Sequence, residues 1–287
     1  MRPIDSSILY TEDALENIKE EIPTSFTNVT SSPTKFEVRL CTTLQAAQSL
    51  VTEMDEDRIG ILNFASAKNP GGGFLRGSSA QEESLARSSS LYLSISQNRF
   101  FNEFYGYHRR NKNGIYTHRI IYSPRVIVLK DDNGKLLSSP YHVGIVTVAA
   151  PNASIVQDSE AIRYAMKERI KRLLYVFEIN QHDTLVLGAF GCGVFKNNPL
   201  EVAFIFRQHL ESSEFKNSFK RIIFAILNPE MYRVFQRVFT ATDLTVIQQE
   251  IEEIYLNNGD NQYQQYKNDQ KKNNSNYHNQ EDDGDDN

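Results

Sequence analysis

The stretch IGILNFASAKNPGGGFLRGSSAQEE, residues 59–83, decides how the chain is read. It opens on an apolar run, residues 59–65, of the length of a buried strand. Three consecutive glycines follow, Gly71, Gly72 and Gly73, although glycine loses more freedom on ordering than any other residue. A tight turn needs one or two left-handed positions and not a run, so the triplet fits a backbone that must approach a ligand closely. A helix is predicted from about Ala80. Ser79, Ala80, Gln81 and Glu82 match the S-x-x-E capping box, in which the glutamate returns to the cap N–H, and acids in a first turn are favoured by the helix dipole. Glu83, about 100° further round, is left unexplained by the box. Strand, glycine loop and helix in this order form one unit of an α/β sheet, whose ligands sit at the carboxyl ends of strands.

Outward from this unit, strand and helix patterns alternate. Residues 36–41 read as a strand and 43–54 as an amphipathic helix. IIYSPRVIVLKDDNGKLL reads as a strand and turn, and YHVGIVTVAAP as a further strand. Residues 159–180 repeat apolar side chains with helical period, 184–190 and 221–227 are strand-like, and a helix between those two starts with Pro199 in its first turn. PEMYRVFQRVF closes the body. The expected organisation is an N-terminal helical segment over residues 1–35, one α/β domain over 36–256 with a mostly parallel or mixed sheet, and a disordered tail over 257–287.

With 287 residues, 40 % of them hydrophobic, the chain can bury a sizeable core. The tail carries seven acids and three lysines, a net −4 of the total −5, which leaves the body at −1. A nearly neutral body lacks the basic face that general nucleic-acid binding requires, so no direct DNA binding is expected. No apolar run is long enough to span a bilayer and the first residues are acidic, which points to an intracellular protein without a membrane partner. Cys41 and Cys192 show no pairing pattern, and the six histidines show no metal-ligand spacing, so neither disulfide nor metal is expected. Cys192 reads as a small loop filler, and Lys167, Arg169, Lys171 and Arg172 read as a solvated helix face. Phe100, Phe101, Phe104 and Tyr105 read as anchors of an irregular connection to the core, ahead of the alternative that they stack a base.

A second loop, GCGVFKNNP, follows the strand TLVLGAF. Two glycine loops after strands suit a diphosphate, whose oxygens accept from backbone N–H groups. Gly72 and Gly77 have the spacing of a nucleotide-triphosphatase loop, but Ser78 stands where its lysine belongs. The dinucleotide fingerprint G-x-G-x-x-G is absent from the first strand–helix turn, which argues against a Rossmann oxidoreductase. A carboxyl group just beyond a diphosphate loop can protonate a leaving oxygen and then activate water, which is the work of cleaving a glycosidic bond to ribose. Glu83 takes that role, and Glu82 is left to hold ribose hydroxyls.

GGGFLRGSSAQEE resembles the GGG-x(6–8)-QEE signature of poly(ADP-ribose) glycohydrolases, with seven residues in the gap. ILNFASAKNPGGGF, IYSPRVIVLKDDNGKLL, VTVAAPN and LVLGAFGCGVFKNNPLEVAFIF are similar to the bacterial or microbial type of that family. The resemblance implies a macrodomain, a three-layer α/β/α sandwich. It implies Glu83 as catalytic acid, Glu82 on the ribose, Asn63 and Asn69 near ribose, and Gly71, Gly72, Gly73 and Gln81 at the catalytic loop. Gly191, Cys192, Gly193 and Val194 would wrap the diphosphate, with Phe195 against the terminal ribose and Asn152 in a recurring APN motif. Its implied partners are poly(ADP-ribose) and ADP-ribosylated proteins, its implied state is a monomer, and it implies no cofactor. The residues alone leave two alternatives: a reader that binds ADP-ribose without chemistry, and a hydrolase of single ADP-ribose units on proteins.

Overall fold

The computed structural model describes residues 6–18, 32–53 and 58–256. The chain divides into two compact units, Met1–Ala241 and Thr242–Asn287. In the second, residues 245–256 form a helix whose start is capped by Asp243, which accepts from the Thr245 N–H at 2.8 Å. The tail expected over 257–287 lies outside the described residues.

The first unit is built on seven strands: β1 (Ile8–Tyr10), β2 (Lys35–Arg39), β3 (Ile59–Phe64), β4 (Ile120–Lys130), β5 (Leu136–Val148), β6 (Thr184–Leu187) and β7 (Arg221–Ala225). They form one sheet in the order β1-β4-β5-β3-β6-β7-β2. From β5 to β2 every neighbouring pair is parallel, whereas β4 and β1 are antiparallel additions at one edge. The sheet is therefore mixed. Strand β1 falls within the segment expected to be only helical, of which α1 (Glu12–Glu16) is the helical part. Three residues paired to β4 through Ile8, Leu9 and Tyr10 are too few to show alternation in sequence, and the tertiary pairing decides them.

Helices cover both faces. On one, α2 (Thr43–Val51), α3 (Gln81–Ser88) and α4 (Leu91–Ile95) pack with Phe100, Phe104 and Tyr105 over Ile59, Ile61, Ile121, Val143, Ile145 and Val186. The aromatic connection expected to anchor itself in the core does so, through α5 (Asn98–Phe100), a π-helical turn at 101–105 and α6 (Gly106–Arg110). On the other face lie α7 (Ser159–Ile179), α8 (Pro199–Leu210) and α9 (Pro229–Thr240). Phe206 of α8 and Phe235 of α9 meet Phe224 of β7 with centroids 5.4 and 5.6 Å apart. Gly60 and Gly144 pair in register and clear space for α7 and the loop after it: a Cβ at Gly60 would lie 2.6 Å from Phe177, and one at Gly144 2.3 Å from His182. The result is the expected three-layer sandwich.

The helix boundaries follow from their caps. Thr42 and Gln45 form a complete capping box on α2, Asp158 caps α7, and Asn198 and Asn228 cap α8 and α9, each ahead of a proline in the first turn. One face does not match its expectation. Arg169 of α7 is fully buried, and its guanidinium donates to the carbonyls of Ile115 (3.0 Å), Ala149 (2.7 Å) and Tyr116 (3.4 Å). Its neighbours Lys171 and Arg172 pair with Glu214 and Glu168. Spacing on a helix does not reveal that a loop of carbonyls will fold over one of four cations.

Candidate active site

Because β3, β5 and β6 are parallel, the loops that leave their carboxyl ends meet at one edge of the sheet. They enclose a cleft of about 300 Å³ lined by Ser66, Asn69, Gly72, Gly73, Gln81, Glu82 and Glu83 on one side and by Ala150, Phe190, Gly191, Gly193, Val194 and Phe195 on the other. The two glycine loops expected to act together do face one cavity.

The first glycine loop is built from its backbone. Ser66 Oγ accepts from the N–H groups of Lys68 and Asn69, at 3.3 and 3.2 Å, and the Asn69 carbonyl accepts from Gly72 at 3.0 Å. Gly71 and Gly72 both take left-handed backbone, with φ of 68° and 60°. Gly73 does not, and its reason is contact: a Cβ there would lie 2.3 Å from Ser78 Oγ. At Gly72 a Cβ would lie 2.3 Å from Glu83 Oε1 and 3.1 Å from Glu82 Oε2, so both carboxyl groups converge on this glycine.

The capping box does not form. Ala80 is the N-cap of α3 and provides no side-chain cap, while both glutamates turn to the loops. Glu82 is 3 % exposed, and its Oε2 accepts from the Ser66 N–H at 2.6 Å while its Oε1 accepts from Asn63 at 3.4 Å. Glu83 is 8 % exposed; its Oε1 accepts from the Gly73 N–H at 2.9 Å, and its Oε2 has no partner among the described residues. Asn63 near the end of β3 and the backbone of the loop that follows supply donors that outcompete a cap at the helix's own first turn.

Burial pushes the Glu82 carboxyl up to about 8, against the pull of the Ser66 and Asn63 hydrogen bonds and with added repulsion from Glu83. Near neutral pH Glu82 therefore retains its proton for much of the time, and the pair avoids two adjacent buried negative charges. His108 and His118 are each held down near 3, first by burial and next by the Arg169 charge, which keeps both imidazoles neutral.

Several expected site residues stand behind the cleft wall. Asn63 is fully buried and bridges Glu82 to Thr147, its register partner on β5, at 3.2 Å. Gln81 lines the cleft, but its amide accepts from the Phe64 N–H at 2.9 Å and donates to the Leu62 carbonyl at 2.7 Å, which bolts α3 to β3. Gly71 packs under Phe74, whose ring lies against Tyr92 with centroids 4.7 Å apart. Cys192 is buried beneath the second loop, where burial raises its thiol pKa; its side chain is no part of the cleft wall. Asn152 also stays off the wall and closes a turn, accepting from Ser154 N–H and Oγ. A strand end is recognisable in sequence, but which side of its loop each side chain takes is not.

The second loop is held by Asn197, which donates to the carbonyls of Pro151 at 2.8 Å and Gly191 at 2.9 Å, and a Cβ on Gly191 would strike Ala150 at 2.5 Å. Among the described residues the N–H groups of Gly193, Val194 and Phe195 have no acceptor in the protein, so they remain available to an anion. Phe195 leans on Tyr116, centroids 6.0 Å apart. Sequence reading overlooked Ser66, Ala150, Phe190 and Asn197; only the short polar run before Pro199 carried a signal for the last. Among the described residues, no group of three or more His, Cys, Asp or Glu side chains is placed to hold a metal ion, and no helix is long and apolar enough to cross a membrane.

This geometry has close counterparts. A family model described as microbial-type PARG, catalytic domain, matches residues 4–131, which include the first glycine loop and both glutamates. The poly(ADP-ribose) glycohydrolase of Thermomonospora curvata shares 38 % identity over 83 % of this chain and 87 % of its own, with a TM-score of 0.77. That of Deinococcus radiodurans, solved with ADP-ribose, shares 37 % identity over 83 % of this chain and 96 % of its own, with a TM-score of 0.75. A further Thermomonospora curvata structure, bound to the inhibitor ADP-HPD, shares 37 % identity over 82 % and 86 % of the two chains, with a TM-score of 0.74. No curated protein sequence matches. With identity at this level over most of both chains, and the two acids and both loops in place, the chain belongs to the poly(ADP-ribose) glycohydrolases of microbial type.

Proposed function

We propose that the chain hydrolyses the ribose–ribose O-glycosidic bond of poly(ADP-ribose) and releases ADP-ribose from the chain terminus, with Glu83 as the proton-transferring group. One observation carries the assignment of the acid. Glu83 is tethered by one oxygen to the Gly73 N–H and presents the other, unpartnered among the described residues, in the cleft.

The terminal ADP-ribose lies along the cleft with its diphosphate against the open N–H groups of Gly193, Val194 and Phe195 and its terminal ribose between Phe195 and the glutamates. Glu83 donates a proton to the oxygen between the two riboses as the bond to the anomeric carbon breaks, and positive charge develops on that carbon. The departing ribose leaves as an alcohol. Glu83, now a carboxylate, takes a proton from the water that attacks the same carbon, which restores the acid and completes the ADP-ribose product. Glu82, largely protonated at neutral pH, donates to a ribose hydroxyl and adds no second charge beside the acid. No metal or cofactor takes part in these steps.

Labelled polymer incubated with the wild type and with Glu83→Gln tests the assignment. ADP-ribose release by the wild type and its loss in a folded variant are expected; a variant that keeps full activity overturns the role of Glu83.

A further inference from the structure

Arg76 lines the cleft, is exposed, and among the described residues its guanidinium makes no hydrogen bond, ion pair or ring contact within the protein. Both glutamates line the same cleft, where the Glu82 oxygens accept from Ser66 and Asn63 and Glu83 Oε1 accepts from the Gly73 N–H, and none of them pairs with Arg76. Nearby Arg87 donates to the Ser78 carbonyl and so ties down the end of the loop. Arg76 has no such duty.

Its position on the loop is specific. The Arg76 N–H donates to the Gly73 carbonyl at 2.9 Å, and the Gly73 N–H donates to Glu83 Oε1, also at 2.9 Å. The turn Phe74–Arg76 thus springs from Gly73, which holds Glu83, and Arg76 lines the same cleft as Gly193, Val194 and Phe195 of the second loop. The adjacent Leu75 is 74 % exposed, and a Cβ on Gly77 would meet nothing within 4 Å, so Leu75–Gly77 face open space while Phe74 anchors the turn against Tyr92.

In poly(ADP-ribose) the group that leaves past the acid is the adenosine ribose of the next unit, which carries its own diphosphate. A single ADP-ribose on a protein side chain has no phosphate on its leaving side. A planar guanidinium is suited to grip phosphate through paired N–H donors. We propose that Arg76 forms a subsite for the diphosphate of the second ADP-ribose unit and thereby biases the chain toward polymer over singly modified protein. The subsite rests on the proposed polymer hydrolysis.

The test uses the full chain carrying Glu83→Gln, so that an oligomer of two ADP-ribose units stays intact, with and without Arg76→Ala. Calorimetric titration is expected to show affinity for the two-unit oligomer falling roughly fivefold on removal of the guanidinium, with ADP-ribose affinity changing less than about twofold. Arg76→Lys should recover part of the loss, and the dependence of oligomer affinity on salt should become shallower in Arg76→Ala. Equal changes for both ligands, or no change for either, overturn the subsite. Wild-type protein that releases no ADP-ribose from polymer defeats the function and takes the subsite with it; Glu83→Gln protein that still cleaves the oligomer defeats only the role of Glu83, and the subsite is then judged from the affinity ratio at 4 °C before cleavage.

Discussion

The Gly73 N–H donates to Glu83 Oε1 at 2.9 Å, across ten residues of chain that include a 3-10 turn and a left-handed glycine. In the proposed mechanism this bond aims Glu83 and leaves its second oxygen to the substrate. Glu83→Gln keeps the acceptor for Gly73 and loses the titratable proton. Its kcat should fall by a factor of about 10² to 10⁴ while its thermal midpoint stays near that of the wild type. Steady-state release of ADP-ribose and a parallel melting curve check both halves.

Gly72→Ala should be worse than its size suggests. Left-handed backbone costs a non-glycine residue roughly 1–2 kcal/mol, and the new Cβ would in addition displace Glu83 Oε1 from 2.3 Å away. Gly134 in the β4–β5 turn has φ of 80° and open space around a built Cβ, so Gly134→Ala isolates the backbone cost from the collision. The loss of stability in Gly72→Ala should match or exceed that in Gly134→Ala, the excess reporting the collision. Activity should fall about 100-fold only in Gly72→Ala, because a catalytic group displaced by an ångström loses that much.

Glu82 should make the protein less stable as pH rises. Its carboxyl titrates near 8 in the folded chain against 4.5 as the reference value, so the native state holds the proton more tightly than the unfolded state. The stability from this group is full below about pH 4.5 and is lost as pH rises through about 8. Glu82→Gln should flatten this dependence, with a gain over the wild type on the order of 2–4 kcal/mol at pH 9 that vanishes near pH 4.5. Urea unfolding of both proteins across that range reads the difference.

Arg169→Met should destabilise the fold by at least about 2 kcal/mol, because three carbonyls from two segments lose their donor inside the protein. One of the two segments contains Tyr116, which supports Phe195, and the other contains Ala149, next to Ala150 on the cleft wall. ADP-ribose affinity should therefore weaken in the folded variant, with Arg169→Lys intermediate. Denaturant unfolding and calorimetry separate the two effects.

Local chemistry made much of this protein legible in its sequence. The buried strands are apolar runs, the helices begin at Thr42, Asp158, Asn198 and Asn228 where short polar side chains cap them, and the glycine triplet ahead of two acids marks the cleft. Spacing along one chain reports period and turn chemistry, which are properties of neighbours in sequence. The tertiary structure alone decided the partners of each polar group. It turned Glu82 from a helix cap to the backbone of the loop just after β3, drew Arg169 from an apparent solvent face under the carbonyls of two loops, set Gln81 to bolt a helix to a strand, and paired three N-terminal residues to the sheet edge. In each case a buried donor or acceptor found its match far along the chain, and the cost of leaving such a group unpaired outweighs the local preference that the sequence displays.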